Sequence, residues 1–393
     1  MFLEILLAIL LGVVAGCFTG LIPGIHTNLI AVMLVSIANL VLEIVSINSL
    51  IAFIIAMSIT HSFTNTIPSI YLGAPEPSTA LNVLPGHKLL MDGEGLNAVK
   101  LTLLGSMMGL IVCFVSYPLL KWFILLSYEF LSNNIPLIML VVAIFLITRT
   151  KDWKNNTLIY ISAAIIGVLV LNSKMQDPLF PMLSGFFGIS TLLFSLKTNS
   201  SIPTQKKDSF NYKMNKFSLF LGTISGYITA ILPGLGSSTA AAISSSIKKE
   251  NETKDFLFMM GSISTVNFFM SIAALSAIDK GRNGSIVAIM SLTNNYDISL
   301  MIAASIISAG IAIITSRIIA KYFEKIALRL NYAMLVKSVI ILIIILTVIL
   351  TGIIGLIVLF ASTTIGLYSN IKSTPRNLMM SSIMVPISLF FLV

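Results

Sequence analysis

The chain is short of charge. Asp, Glu, Lys and Arg make up 10% of its 393 residues, against about 25% in soluble proteins. So few charges could not cover the surface of a soluble globule of this size, which excludes a cytosolic enzyme, a nucleic-acid binder and a disordered scaffold. Cysteine is scarcer still. Cys17 and Cys113 both lie inside apolar stretches, so they read as buried free thiols and not as a disulfide framework. No paired Cys-x-x-Cys and no His-Glu-x-x-His occurs, which removes the common zinc sites. A Gly-x-x-x-x-Gly-Lys-[Ser/Thr] loop is also missing, so the chain itself is not expected to hydrolyse ATP. Without a Gly-x-Ser-x-Gly elbow or a convincing pair of intramembrane carboxylates, the sequence does not read as an enzyme.

What is there is apolar: 56% of residues are hydrophobic and the mean hydropathy is +0.99. This is the composition of a multi-pass cell-membrane protein. A membrane helix needs about 20 apolar residues. Candidate runs lie near 2–22, 27–42, 47–67, 97–119, 135–149, 157–172, 179–196, 217–247, 255–278, 285–316, 333–351, 353–370 and 378–393. Several are short or broken by Pro, Gly, Ser and Thr, so about 10–14 membrane segments are expected. The first run, MFLEILLAILLGVVAG, has an acidic Glu4 and no basic flank, so it reads as a membrane segment and not as a cleaved signal peptide. The net charge of +9 is spread between apolar runs with no basic stripe. It is expected to mark the cytoplasmic side and not to hold nucleic acid.

The longest polar interruption, KTNSSIPTQKKDSFNYKMNK at 197–216, divides the chain into 1–196, a basic cytoplasmic linker, and 217–393. The two parts resemble each other. GVVAGCFTGLIPGIHTN at 12–28 aligns with GTISGYITAILPGLGSS at 222–238, a shift of 210 residues. SITHSF at 58–63 resembles SISTVNF at 262–268, and SYPLLKWF at 116–123 matches SRIIAKYF at 316–323. Order is kept, as in a diverged duplication. The second copy's Arg317, Lys321, Lys325 and Arg329 contrast with the nearly neutral Lys121 and Glu129 of the first. That contrast places equivalent points on opposite faces, as in an inverted repeat, although Asp279-Lys280-Gly281-Arg282 argues the other way. The expected fold is therefore all-α and polytopic, with two inverted repeats and Pro-Gly-broken or reentrant helices.

The sharpest local features are the two Pro-Gly pairs. Each removes an amide donor and adds a joint inside an apolar segment. Unpaired backbone at membrane depth is tolerated where it is buried in protein or lines a watery cavity. After Pro23-Gly24 come His26, Thr27 and Asn28; after Pro233-Gly234 come Gly236, Ser237, Ser238 and Thr239. A new helix can start at each cluster and offer amides and hydroxyls to an anion. The alternative is a simple kink with small residues easing helix packing. A third polar stretch, 67–99, holds Gly73, Pro75, Glu76, Ser78, Thr79 and a second Pro-Gly-His at 85–87. It suits a substrate-facing reentrant loop or an ordinary exposed one. His61, Asn65, Thr265 and Asn267 are candidates to line the same cavity or to bond helices together.

The strings GLIPGIHTNLIAV, YLGAPEPSTALNVLPGHKLLMDGEG, DPLFPMLSGFFGISTLL, ILPGLGSSTAA and TPRNLMMSSIMVP resemble the TctA family, the large permease subunits of tripartite tricarboxylate transporters. The likeness is to its shorter archaeal branch and covers nearly the whole chain. It implies a secondary transporter that imports carboxylates such as citrate, coupled to Na+ or H+, with no other cofactor. It also implies a small membrane subunit and an extracytoplasmic binding protein as partners; assembly of identical copies is left open. Carried over by position, it points to Pro23-Gly24, the 73–95 loop and Pro233-Gly234 as the substrate region. The first Pro-Gly departs from the bacterial pattern, since Ile-His-Thr-Asn stands where those permeases have small residues. Polyprenyl-phosphate flippases share a similar Pro-Gly in each half, so a lipid-linked phosphate is the alternative substrate. A non-transporting membrane subunit is the second alternative.

Overall fold

The computed structural model describes residues 2–22, 27–72, 83–148, 150–175, 178–196, 203–206, 210–231, 237, 240–241, 243–244, 253–329 and 332–392. Among them there are helices and no strand, as bilayer solvation requires of a spanning chain that is not a barrel. In chain order these are α1 (Phe2–Leu21), α2 (Thr27–Ser36), α3 (Ala38–Leu42), α4 (Ile47–Thr64), α5 (Thr66–Tyr71), α6 (Val83–Met91), α7 (Gly95–Val115), α8 (Tyr117–Asn133), α9 (Ile135–Thr148) and α10 (Trp153–Leu171). Then come α11 (Leu179–Leu183), a π-helical turn (Ser184–Ile189), α12 (Ser190–Leu196), α13 (Lys216–Ile231), α14 (Thr253–Ile278), α15 (Gly284–Leu292), α16 (Ile298–Arg329) and α17 (Tyr332–Ile371). A 3-10 turn (Arg376–Met380) and α18 (Ser381–Phe390) follow. Seven of the described helices are long and apolar enough to cross a membrane, or eight if the bent pair α8–α9 is one span. The other apolar helices, such as 179–194 and α13, are shorter than a full span.

Burial separates the centre from the lipid face. The membrane window of α4–α5 is 89% buried and that of α14 is 83% buried, against 17% for α17. The centre is built by close approach of backbones. A Cβ on Gly12 or Gly16 would stand 2.6 Å from the Phe53 carbonyl oxygen or 2.5 Å from that of Met57. The same contact recurs between α13 and α14, where a Cβ on Gly222 or Gly226 would stand 3.2 Å from the Met259 oxygen or 3.0 Å from that of Ile263. Both sets advance together along the chain, so α1 runs parallel to α4, and α13 runs parallel to α14.

Parallel neighbours require the chain to return between them. Ser46 N–H donates to Glu4 at 2.6 Å, which brings the start of α4 level with the start of α1. In the second half, Tyr212 and Asn215 donate to Asp255 at 2.6 and 2.7 Å, which brings the start of α14 level with that of α13. Each half therefore opens on two parallel helices whose starts lie level, α1 with α4 and α13 with α14.

The halves are completed by one another. α7 packs along α14, with Ser106 Oγ donating to the Gly261 carbonyl at 3.1 Å. α16 packs along α4, α5 and α1, with Tyr71 OH donating to Glu324 at 2.9 Å. Glu94, at the start of α7, pairs with Lys254 at 2.8 Å and with Lys206 at 3.6 Å. The starts of α7 and α14 thus meet at one end, and Leu96 beside Glu324 places the ends of α5 and α16 there too. Along this basic end α1, α4 and α16 arrive, whereas α7, α13 and α14 depart.

Several segments differ from the sequence expectation. The run 285–316 is two elements, α15 and a longer α16 that carries Arg317, Lys321, Lys325 and Arg329 on its last turns. Pro85-Gly86-His87 lies inside α6, with Pro85 in its first turn, where its missing N–H costs nothing; it is not a break. α8 carries the 117–133 stretch as helix. The 351/353 boundary is met by Gly352, whose φ of +66° only glycine adopts easily. α17 is kinked there, and Gly355 lies close against Thr351 and Thr347. The described parts of the linker, 203–206 and 210–215, have no regular structure. They are nevertheless fixed: Gly95 N–H donates to Gln205 at 2.8 Å and Lys206 N–H to the Gly93 carbonyl at 2.8 Å. Cys17 and Cys113 are free thiols.

Candidate functional site

Pro23, Gly24, His26, Gly73, Pro75, Glu76, Ser78, Thr79, Pro233, Gly234, Gly236, Ser238 and Thr239 lie outside the described residues. Their flanks are described. α1 ends at Leu21 and a new helix begins at Thr27, the first polar residue with defined backbone after the break; Asn28 follows it in the helix. On the other side of the second break, Ser237 is helical and 6% exposed.

A polar side chain projects from each of the central helices, α4 and α14. His61 of α4 is buried, with Nδ1 3.1 Å from Thr19 Oγ1 on α1. Thr19 in turn bonds the Gly16 carbonyl, and its counterpart Thr229 bonds that of Gly226. Asn267 of α14 donates through Nδ2 to Ser237 Oγ at 3.3 Å. Ile47 to His61 and Thr253 to Asn267 are equal stretches of helix, each about 21 Å at 1.5 Å per residue. Because α4 and α14 run in opposite directions, these two groups approach mid-depth from opposite ends. Asn65 is buried at the end of α4, and its N–H donates to the His61 carbonyl at 2.9 Å. Thr265 is wholly buried, with Oγ1 lacking a partner among the described residues. Thr66 and Thr102 link α5 to α7 at 3.1 Å. His61, Asn65 and Thr265 are thus buried and Asn267 part-buried; His61 is bonded to Thr19 of α1 and Asn267 to Ser237.

One residue escaped the sequence reading. Arg376, in the 3-10 turn after α17, turns its guanidinium onto the π-helical turn, 2.8 Å from the Phe187 carbonyl and 3.3 Å from that of Phe186. The sequence signal was slight: an arginine in the polar stretch SNIKSTPRN, 369–377, between two apolar runs. At the basic end a cavity of about 380 Å³ opens between α7 and α16, lined by Leu96, Ile318, Lys321, Tyr322, Glu324 and Lys325. It adjoins neither Ser237 nor His61. Among the described residues no group of three or more His, Cys, Asp or Glu could hold a metal ion.

The chain was compared with known proteins. Residues 6–381 match the model of the tripartite tricarboxylate transporter TctA family. An uncharacterized protein of Methanocaldococcus jannaschii is 32% identical over 98% of this chain and 99% of its own length. No solved structure matches. The match covers nearly the whole of a helical membrane body. The chain belongs to the tripartite tricarboxylate transporter TctA family and is a multi-pass plasma-membrane transport permease, not an enzyme.

Proposed function

We propose that this permease moves a small organic anion, a carboxylate, by secondary transport coupled to Na+ or H+, and binds it where the two Pro-Gly breaks meet near the middle of the membrane. The observation that carries this reading is the pair of matched polar positions. His61 with Thr19 and Asn267 with Ser237 stand equally far along helices that run in opposite directions. The parallel glycine contacts of Gly12 and Gly222 with carbonyls on α4 and α14 support an inverted repeat as the source of that match. In such a repeat the basic end is the cytoplasmic one, since it gathers Lys206, Lys254, Lys321 and Lys325.

Helix starts at Thr27 and near Ser237 offer amides and hydroxyls to an anion. Each start contributes about 0.3–1 kcal/mol, or about 2 when partly buried. Desolvating a carboxylate costs several kcal/mol, so hydroxyls and a cationic partner must add to the dipoles. A small membrane subunit and an extracytoplasmic binding protein, as the tripartite family name implies, would deliver the substrate.

The test is thermal unfolding of the purified protein with citrate, succinate or a polyprenyl phosphate, each with and without sodium and at two pH values. Citrate or succinate should raise the midpoint, and one of the two ions should enlarge the rise. A Pro233→Ala/Gly234→Leu variant should lose it. A response confined to the lipid phosphate would replace the reading with a flippase, and no response to any anion would sink it.

A further inference from the structure

Resting on the transport reading above, we propose that Arg376 is the residue that receives the anionic group of the transported molecule. Three observations carry it. The first is the missing counter-charge. No carboxylate of a described residue pairs with Arg376, and its Nε–H is buried without a hydrogen-bond partner among the described residues. An arginine within a membrane protein is costly unless paired, and in general marks a substrate or ion path.

The second is that its present bonds are redundant for the backbone. Phe186 O already accepts from Ser190 Oγ at 2.6 Å, and Phe187 O from Thr191 Oγ1 at 2.6 Å. Taking Arg376 away would orphan neither carbonyl, so capping the π-helical turn does not explain the charge. What those carbonyls and the Phe187 ring, 5.5 Å from the guanidinium carbon, do is hold the guanidinium in place. The turn is itself held rigid, since a Cβ on Gly366 of α17 would stand 2.5 Å from the Phe186 oxygen. π-Helical turns of this kind are frequent at functional sites.

The third is location. Phe186, Phe187 and Leu378 share one apolar cluster with Ala240 and Ala241, three and four residues beyond Ser237 at the second break. Leu72, the last described residue before position 83, packs against the neighbouring cluster of Phe180 and Leu192. The turn that holds Arg376 therefore belongs to the same apolar core as the residues that follow Ser237. Arg376 supplies the positive charge that helix ends and hydroxyls lack, in a fork geometry matched to a carboxylate.

The experiment measures thermal unfolding of wild type, Arg376→Gln and Arg376→Lys in the full-length protein, alone and with titrated citrate, succinate or inorganic phosphate. The expected result is that Arg376→Gln unfolds without ligand at or above the wild-type temperature, while its affinity for the responding anion falls about 10- to 100-fold. Arg376→Lys should keep a weakened response. If Arg376→Gln answers citrate as wild type does, the proposal is overturned and the transport reading stands. If both variants unfold well below wild type without ligand, Arg376 is a structural tether and the proposal is likewise overturned. If wild type answers none of the three anions, the transport reading fails. Arg376 is then judged on ligand-free stability alone: an unchanged or raised midpoint in Arg376→Gln supports a charge kept for a ligand, and a lowered one overturns it.

Discussion

The helix pair that opens the first half and the pair that opens the second are built alike but finished differently. In both, glycines of one helix lie against carbonyls of a more buried one, and a threonine three residues after the second glycine bonds back to it. The polar group at the matching point of the buried helix is His61 in one and Asn267 in the other. The ends differ too. At the corner before α7, Glu94 is bound by two lysines, while the corner before α16 is held by Tyr296 donating to Asp279. Backbone contact is thus the shared part, and side-chain chemistry is where the halves have diverged.

Breaking the shared part should do the most damage. Gly16→Leu and Gly226→Leu each drive a side chain into a neighbouring helix, and each should cost about 1–3 kcal/mol or more. Thermal unfolding in detergent checks this, and a variant of one half that is harmless while its counterpart is not would end the equivalence. Removing a link between the halves comes next. Tyr71→Phe loses a hydrogen bond to a carboxylate, worth about 1.5 kcal/mol; differential scanning calorimetry should show the loss. The diverged pair sharpens the comparison further. His61→Ala and Asn267→Ala should each cost about 1 kcal/mol, and their effects should add, because each group bonds within its own half.

The smallest effect belongs to Glu94. Hydrogen bonding to Lys254, helped by Asn97 and Lys206, holds its carboxyl below the usual 4.5. A carboxyl held low stabilises the fold fully above about pH 4.5 and loses that contribution as pH falls through the lower folded value. Glu94→Gln should therefore be less stable than wild type at neutral pH by less than about 1 kcal/mol, and the gap should close on acidification below about pH 4. Chemical unfolding across that range measures it. A gap that widened in acid would contradict the assignment.

Much of this was legible in the sequence. Gly12 and Gly16 repeat at 222 and 226, and that spacing anticipated two matching helix pairs. The boundary at 351/353 anticipated the kink at Gly352, since a forty-residue apolar run is too long for one straight crossing. The exchange of partners was not legible. Likeness between two segments says what is similar, not what touches, so nothing in the chain foretold α7 on α14 or α16 on α4. Arg376 was passed over because it stands in a polar stretch, SNIKSTPRN, that reads as an ordinary connection between helices; only the fold reveals that no carboxylate of a described residue meets it. Pro85-Gly86 misled for a related reason. The same dipeptide breaks a helix in its interior and is harmless in its first turn.

Glu4 and the linker lie at opposite ends of the molecule: α1 starts away from the basic end, and Gln205 and Lys206 are fastened to it. A polypeptide that enters by one face and leaves by the other has made an odd number of passages. Parity then decides orientation: helices that follow an odd number of passages begin on the far side, as α13 and α14 start at the end where α1 and α4 finish. An epitope inserted ahead of Glu4 and another in the 197–216 stretch should accordingly be reached from opposite sides of the membrane.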